Sequence, residues 1–295
     1  MIKKKITIRT QSEFPLAVHR ATTHPRRMIF VRLFGRSLSR LGLMLWLATG
    51  SVVLATDTVP PATAGTFDFA NPKIFTGTLY ETGSNRKKIL YQFRRTAVRT
   101  GDTVRVTREF TTTNGSPAAV ENIVYESSRF VSYQMQEFQA DVSGRIEIAP
   151  DSKNPAQTKL FISYGNGLNP PKGDAQNLPT DMVIDDTLYP FLLAHWEELM
   201  RGDTVKLHFI SLERKRPFVF RLVKTGESTA AGRAEVQIKM ESVNLLVGRL
   251  VNPLVFTVEK TGEHRVISYL GRTTPRISKG TTWKYLDAET VFDWN

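Results

Sequence analysis

A mainly β fold, an antiparallel barrel or half-barrel with one main helix on its concave face, is what this 295-residue sequence predicts. Three observations carry the expectation. Short segments alternate apolar and polar residues. Clusters of Gly, Asn, Asp and Pro separate them. One stretch, LYPFLLAHWEELM at 188–200, has the 3.6-residue apolar period of a helix.

From Lys73 onward, IFTGTLYE, KKILYQFRR, TVRVTREFTTT, AVENIVYE, RFVSYQMQEF, GRIEIA and TKLFISY follow one another, divided by ETGSNR, RTGD, TNGSP and DSKNPA. In KKILYQF, Ile89, Tyr91 and Phe93 share one face, while Lys88 and Gln92 share the other. Strands with one buried and one wet face belong to antiparallel sheets rather than helix-covered parallel ones. The stretch 164–181, YGNGLNPPKGDAQNLPTD, predicts a long loop.

A helix over about 187–201 follows. Leu188, Leu192, His195, Trp196 and Leu199 form its apolar stripe, and Glu197 and Glu198 face away. Pro190 suits a first turn, where a missing N–H costs nothing. Asp185 and Asp186 favour the positive end of the dipole, and Arg201 with Gly202 closes the helix. Beyond it, TVKLHFISL (204–212), PFVFRLV (217–223), RAEVQIKME (233–241), PLVFTVE (253–259) and RVISYLG (265–271) predict further strands. In RAEVQIKME, Ala234, Val236, Ile238 and Met240 point inward. SVNLLVGRLVN (242–252) fits a helix or a strand equally well.

The domain plan is a leader over 1–55, a Pro/Thr/Ala-rich linker over 56–72, and a single β-rich domain over 73–295. The leader has a basic region (28–40), an apolar run (41–55) and small residues suited to cleavage after Ala55 or Ala64. The apolar run is shorter than the roughly 20 residues a bilayer needs, so cleavage is preferred over an uncleaved anchor. Met28 as initiator gives a leader of ordinary proportions. The expected location is periplasmic or secreted, in a bacterium.

Net charge is +12, but residues 1–55 carry ten of the 40 basic residues and one of the 28 acids. The remainder is nearly balanced, which removes the clustered cations that nucleic-acid binding requires. The absence of cysteine excludes disulfides, thiolate metal ligands, a cysteine nucleophile and a lipidated cysteine.

No catalytic signature stands out. His195, His208 and His264 have no HExxH or HxH spacing, and Asp181, Asp185 and Asp186 lack the spacing of a calcium loop and read as helix caps. Ser84 and Lys87 match SxxK, but in a hairpin turn rather than at a helix N-terminus. The basic runs 93–99 and 213–217 read as solvated strand edges. No cofactor and no metal are expected.

The run DDTLYPFLLAHWEELMRGDTVKLHF, followed by RLVNPLVFTVE and SYLGR, resembles an exported bacterial β-rich family of unknown function over about residues 73–272. At the level of fold it is also similar to periplasmic lipoprotein-carrier half-barrels and to lipocalin-like barrels. That resemblance implies a non-enzymatic envelope protein that binds an apolar ligand such as a lipid or acyl chain, in peripheral contact with the envelope. Phe191, Leu192, Trp196 and Leu199 are then the expected pocket or lid residues, gated by 164–181. The alternatives are an interaction module that meets another envelope protein through a sheet edge, and a hydrolase built on His195, His208 and neighbouring acids.

Overall fold

The computed structural model describes residues 67–167, 169–244 and 252–294. The leader, both candidate cleavage sites and most of the ambiguous 242–252 segment lie outside the described residues. The chain folds as β1 (Ile74–Glu81), β2 (Ile89–Thr100), β3 (Thr103–Thr112), β4 (Pro117–Glu126), β5 (Arg129–Glu137), β6 (Val142–Pro150), β7 (Thr158–Asn166) and β8 (Asn169–Asn177). Then come β9 (Met182–Val183), α1 (Asp185–Ala194) and α2 (Trp196–Arg201). The chain ends with β10 (Val205–Ser211), β11 (Arg216–Ala230), β12 (Arg233–Ser242), β13 (Leu254–Glu259), β14 (Val266–Lys279) and β15 (Thr282–Asp293).

Among the described residues these strands make one sheet, in the order β8 to β1, then β15 down to β9. Each strand pairs antiparallel with its chain neighbour, except that β9 lies parallel to β10 and the first strand pairs with the last. The two halves are therefore joined at the centre of the sheet by β1 and β15, and β8 and β9 are its edges. The sheet is not closed. It is a half-barrel.

Curvature is fixed by contacts that cross the concave side. Arg276, at the irregularity of β14, donates its backbone N–H to the Glu137 carboxylate of β5 at 2.9 Å, and its side chain reaches the hydroxyls of Tyr164 and Tyr285. Tyr91 of β2 donates to the carbonyl of Arg276 at 2.8 Å. At Gly144 of β6 a Cβ would lie 2.5 Å from the Leu212 side chain, so a larger residue there would force that leucine of the β10–β11 turn to shift.

Apolar burial falls into three clusters. One joins both helices to β10–β14, one fills the space beneath β2–β7, and one lies under β1–β4 and β15. Leu199, Leu207, Leu222 and Ile238 are 0–1% exposed, and each such side chain stabilises the fold by roughly 1.5–3 kcal/mol. Trp196, 7% exposed, points into the first cluster.

Three local expectations need correction. The predicted helix 187–201 is two helices: α1 begins at Asp185, and the chain breaks at His195 (φ −110°, ψ 19°) before α2. Pro190 therefore sits inside α1, not in its first turn. The predicted loop 164–181 folds largely as the β7–β8 hairpin, with register running from Lys159↔Asn177 to Asn166↔Asn169. Within 67–72, expected as the end of the linker, Phe69 packs into the core, 2% exposed and stacked on Tyr125 with ring centroids 3.7 Å apart, while Asp68 and Asn71 stay exposed. An aromatic spaced by one residue from another (Phe67, Phe69) outweighed the Pro-rich composition around it.

Candidate functional site

Strand alternation carries charge into the interior. On β2 the inward positions are Tyr91, Phe93, Arg95 and Ala97; on β3 they are Val104, Val106, Arg108 and Phe110; on β4 they are Ala119, Glu121, Ile123 and Tyr125. Register then places Arg95 opposite Arg108 and Arg108 opposite Glu121, a row of three charges across the concave face. Two adjacent guanidiniums repel each other, so the row requires acids from elsewhere.

Helix α1 supplies them. Its first turn holds Asp185 and Asp186, and its start is fixed by Thr187, whose hydroxyl accepts the N–H of Ile184 at 2.9 Å. Arg95, 4% exposed, donates to Asp186 at 3.2 Å and to the carbonyls of Phe69 and Pro72 at 2.9 and 3.2 Å. Tyr125 donates to the other Asp186 oxygen at 2.7 Å. One buried arginine thus binds strand, helix and the 67–72 segment together. Burial alone would raise the Asp186 pKa, but Arg95, Arg108 and the two hydrogen bonds outweigh it and hold the carboxyl below its usual range.

Glu121 is fully buried and meets Arg108 at 3.0 Å, although the N–H is not aimed along the contact, so neither atom has an aligned hydrogen bond. Burial pushes its pKa up to about 7 against the pull of Arg108. Asp185 differs from both neighbours. Among the described residues no hydrogen bond or ion pair joins it to another group. Burial raises its pKa, Arg108 opposes the rise and Asp186 adds to it. Asp185 keeps exposed surface and borders a cavity.

That cavity, about 140 Å³, lies between α1 and the concave face of β1–β3 and β13–β15. Its walls are largely aromatic and aliphatic: Phe75, Phe93, Phe110, Phe256, Phe292 and Trp294 on the sheet side, Leu188 and Leu192 on the helix. Gly77 of β1 brings the backbone close, since a Cβ there would lie 3.2 Å from the Phe292 ring. The polar end is formed by Arg95, Arg108, Asp185 and Asp186, with Arg272 tied to Asp287 at 2.8 Å. An apolar space of this size holds a ring the size of benzene, and its charged end fixes the orientation of whatever enters.

Of the residues expected to line a pocket, Leu192 does so. Phe191 packs partly buried against the helix cluster, its ring 4.5 Å from that of His195; Trp196 stacks on His264 at 4.1 Å; and Leu199 is core. Among the described residues no histidine borders the cavity. His195 meets Glu198 at 3.0 Å at the outer side of α2, the backbone N–H of His208 donates to Asp181, and His264 faces the carbonyl of Glu259. Among the described residues no three His, Asp or Glu side chains are grouped to hold a metal. Ser84 and Lys87 lie in the β1–β2 turn, where Lys87 donates to the Ser84 carbonyl.

Sequence reasoning missed the charge row. Arg95 belongs to the basic run 93–99 that read as a solvated edge, yet of its three arginines only Arg94 and Arg99 are exposed. The usable signal was alternation: Arg95 stands midway between Phe93 and Ala97, as Glu121 stands between Ala119 and Ile123.

No protein-family model matches the chain, and no curated protein matches it. Among solved structures it is similar to a β-barrel-like protein of the domain of unknown function DUF1849 from Brucella abortus. The identity is 8%, the TM-score is 0.36, and the match covers 74% of this chain and 92% of that one.

Proposed function

We propose that this protein is an exported, non-enzymatic envelope protein that binds a small apolar ligand, or the apolar end of a larger one such as a lipid, between α1 and the sheet. The observation that carries the reading is the aromatic-walled cavity of about 140 Å³ at the helix–sheet interface. Close packing is the rule in protein interiors, and an apolar void there forfeits dispersion contacts that a ligand restores. Catalysis has less support: both Asp186 oxygens are engaged, Glu121 is sealed against Arg108, and no histidine among the described residues reaches the cavity.

The test is binding of toluene to the intact chain, read by thermal shift and by calorimetry. Saturating toluene raises the melting temperature of the wild type, and Leu192→Phe, which fills the cavity, abolishes the rise. A wild type that shows neither heat nor shift overturns the proposal.

A further inference from the structure

The two ends of the half-barrel differ in charge and in exposed aromatic surface. Antiparallel order puts the β1–β2, β3–β4, β5–β6, β10–β11 and β14–β15 turns at one end. The β2–β3, β4–β5, β6–β7, β11–β12 and β13–β14 turns lie at the other. The first set holds five basic residues (Arg86, Lys87, Lys88, Arg214, Lys215) and two acids (Asp141, Glu213), and Lys279 and Lys284 flank its last turn. The second set is balanced, with three basic residues and three acids. Strand acids answer part of the first set: Arg86 pairs with Glu289, Lys88 with Glu81 and Lys215 with Asp174. Among the described residues no ion pair holds Lys87, Arg214, Lys279 or Lys284.

Exposed aromatics follow the charge. Among the described residues they are Phe138, Trp283 and Tyr285, 37–44% exposed, and all three lie at the basic end. Tyr285 is committed locally, with the Arg272 and Arg276 guanidiniums 4.8 and 4.7 Å from its ring centre. Phe138 and Trp283 join no apolar cluster among the described residues. The β14–β15 hairpin and the β5–β6 turn are tied together, since Arg276 donates its backbone N–H to Glu137, next to Phe138. Trp283 stands opposite Ser278, two residues beyond Arg276, in the part of β15 that pairs with β14 alone.

We propose that the β14–β15 hairpin, with the neighbouring β5–β6 turn, docks this end of the protein on an anionic lipid bilayer. Trp283 and Phe138 enter the headgroup layer, and Lys279 and Lys284 meet lipid phosphates. A tryptophan ring suits a layer that is half wet, and lysine stems reach from apolar surroundings to charged ones. A protein partner needs a contiguous patch, whereas a bilayer accepts separate side-chain tips spread over one rim. The inference rests on the envelope location proposed above and is independent of what the cavity holds.

The chain has no cysteine, so Thr281→Cys in the β14–β15 turn and Ser152→Cys in the β6–β7 turn, both exposed positions, each accept one environment-sensitive nitrobenzoxadiazole label in the full chain. A local label is needed because the basic and apolar 1–55 segment can itself bring the chain to a vesicle. Phosphatidylethanolamine vesicles with about one-third phosphatidylglycerol are expected to raise emission at position 281 about threefold and to leave position 152 unchanged. Phosphatidylcholine vesicles raise neither. Added to Thr281→Cys, either Trp283→Ala or the pair Lys279→Glu and Lys284→Glu cuts the rise by about half or more. A rise at both positions, or at position 152 alone, overturns the docking face. An equal rise with phosphatidylcholine overturns the anionic preference, and a rise that survives the added substitutions overturns the named side chains. No rise at either position overturns the proposal as a whole, while the toluene titration still decides the cavity.

Discussion

Helices α1 and α2 are neighbours in one apolar pattern, separated by His195, and they do opposite things with it. The buried side chains of α2, Trp196 and Leu199, press into a filled core with Leu207, Leu222 and Ile238. Those of α1, Leu188 and Leu192, share their surface with a cavity, and the same helix begins with two aspartates set over a row of buried charge. The difference lies in what the facing strands present: β10–β12 offer aliphatic residues, whereas β2 and β3 offer Arg95 and Arg108 at inward positions. One helix completes a core. The other covers a site whose charges must be matched as well as packed.

The largest effect that breaks this contrast is at Arg95. Arg95→Met leaves Asp186 buried beside Tyr125 without its cation and frees the Phe69 and Pro72 carbonyls. Losing one partner of a buried pair costs about 3–5 kcal/mol, read as a lowered urea midpoint. A midpoint within experimental scatter of the wild type would show that α1 does not depend on the charge row.

Next is the pH dependence, which comes from the two buried carboxyls with opposite signs. Glu121 holds its proton up to about 7 in the folded state, above its ordinary value near 4.5, so the native state binds more protons between those values. Its contribution to stability is therefore greatest below about 4.5 and falls as pH rises toward 7, with a slope of at most about 1.4 kcal/mol per pH unit. Asp186 is lowered, so its contribution is present above the ordinary carboxylate range and is lost as pH falls through its folded-state pKa. Melting temperatures from pH 2 to pH 8 check both: Glu121→Gln flattens the upper limb and leaves the acid limb in place.

Enlarging the same residue type in the two helices sharpens the contrast directly. Leu199→Phe overpacks a filled core and costs about 1–3 kcal/mol, while Leu192→Phe enters the cavity and changes stability by less than about 1 kcal/mol. Equal losses from the two would show that the α1 side is as full as the α2 side. The smallest effect is at Glu198, whose pair with His195 is half exposed. Glu198→Gln shifts stability by less than about 0.5 kcal/mol, measured by the same urea melts.

Much of the fold was legible in the sequence. Alternation located β1 to its ends at Ile74 and Glu81, and it gave the inward face of β12, where Val236, Ile238 and Met240 are buried as expected. It missed β15, in which LDAETVFD interleaves three acids with its apolar residues. That strand is held because β1 and β14 pair with it from both sides. The β7–β8 hairpin was hidden by Gly, Asn and Pro, which mark turns when composition alone is read.

Local periodicity is a property of each segment's own residues, so the sequence by itself determined that this chain is a ribbon of antiparallel strands with one apolar-striped helical region. What it left open was which inward charges would meet. Register set Arg95, Arg108 and Glu121 side by side, and the curl of the sheet brought Asp185 and Asp186 over them from residues 64 to 91 positions away in the chain. Tertiary structure decided the break at His195, the packing of Phe69 and the cavity under α1. Each of these depends on the volume and charge supplied by distant strands, and no segment carries that information alone.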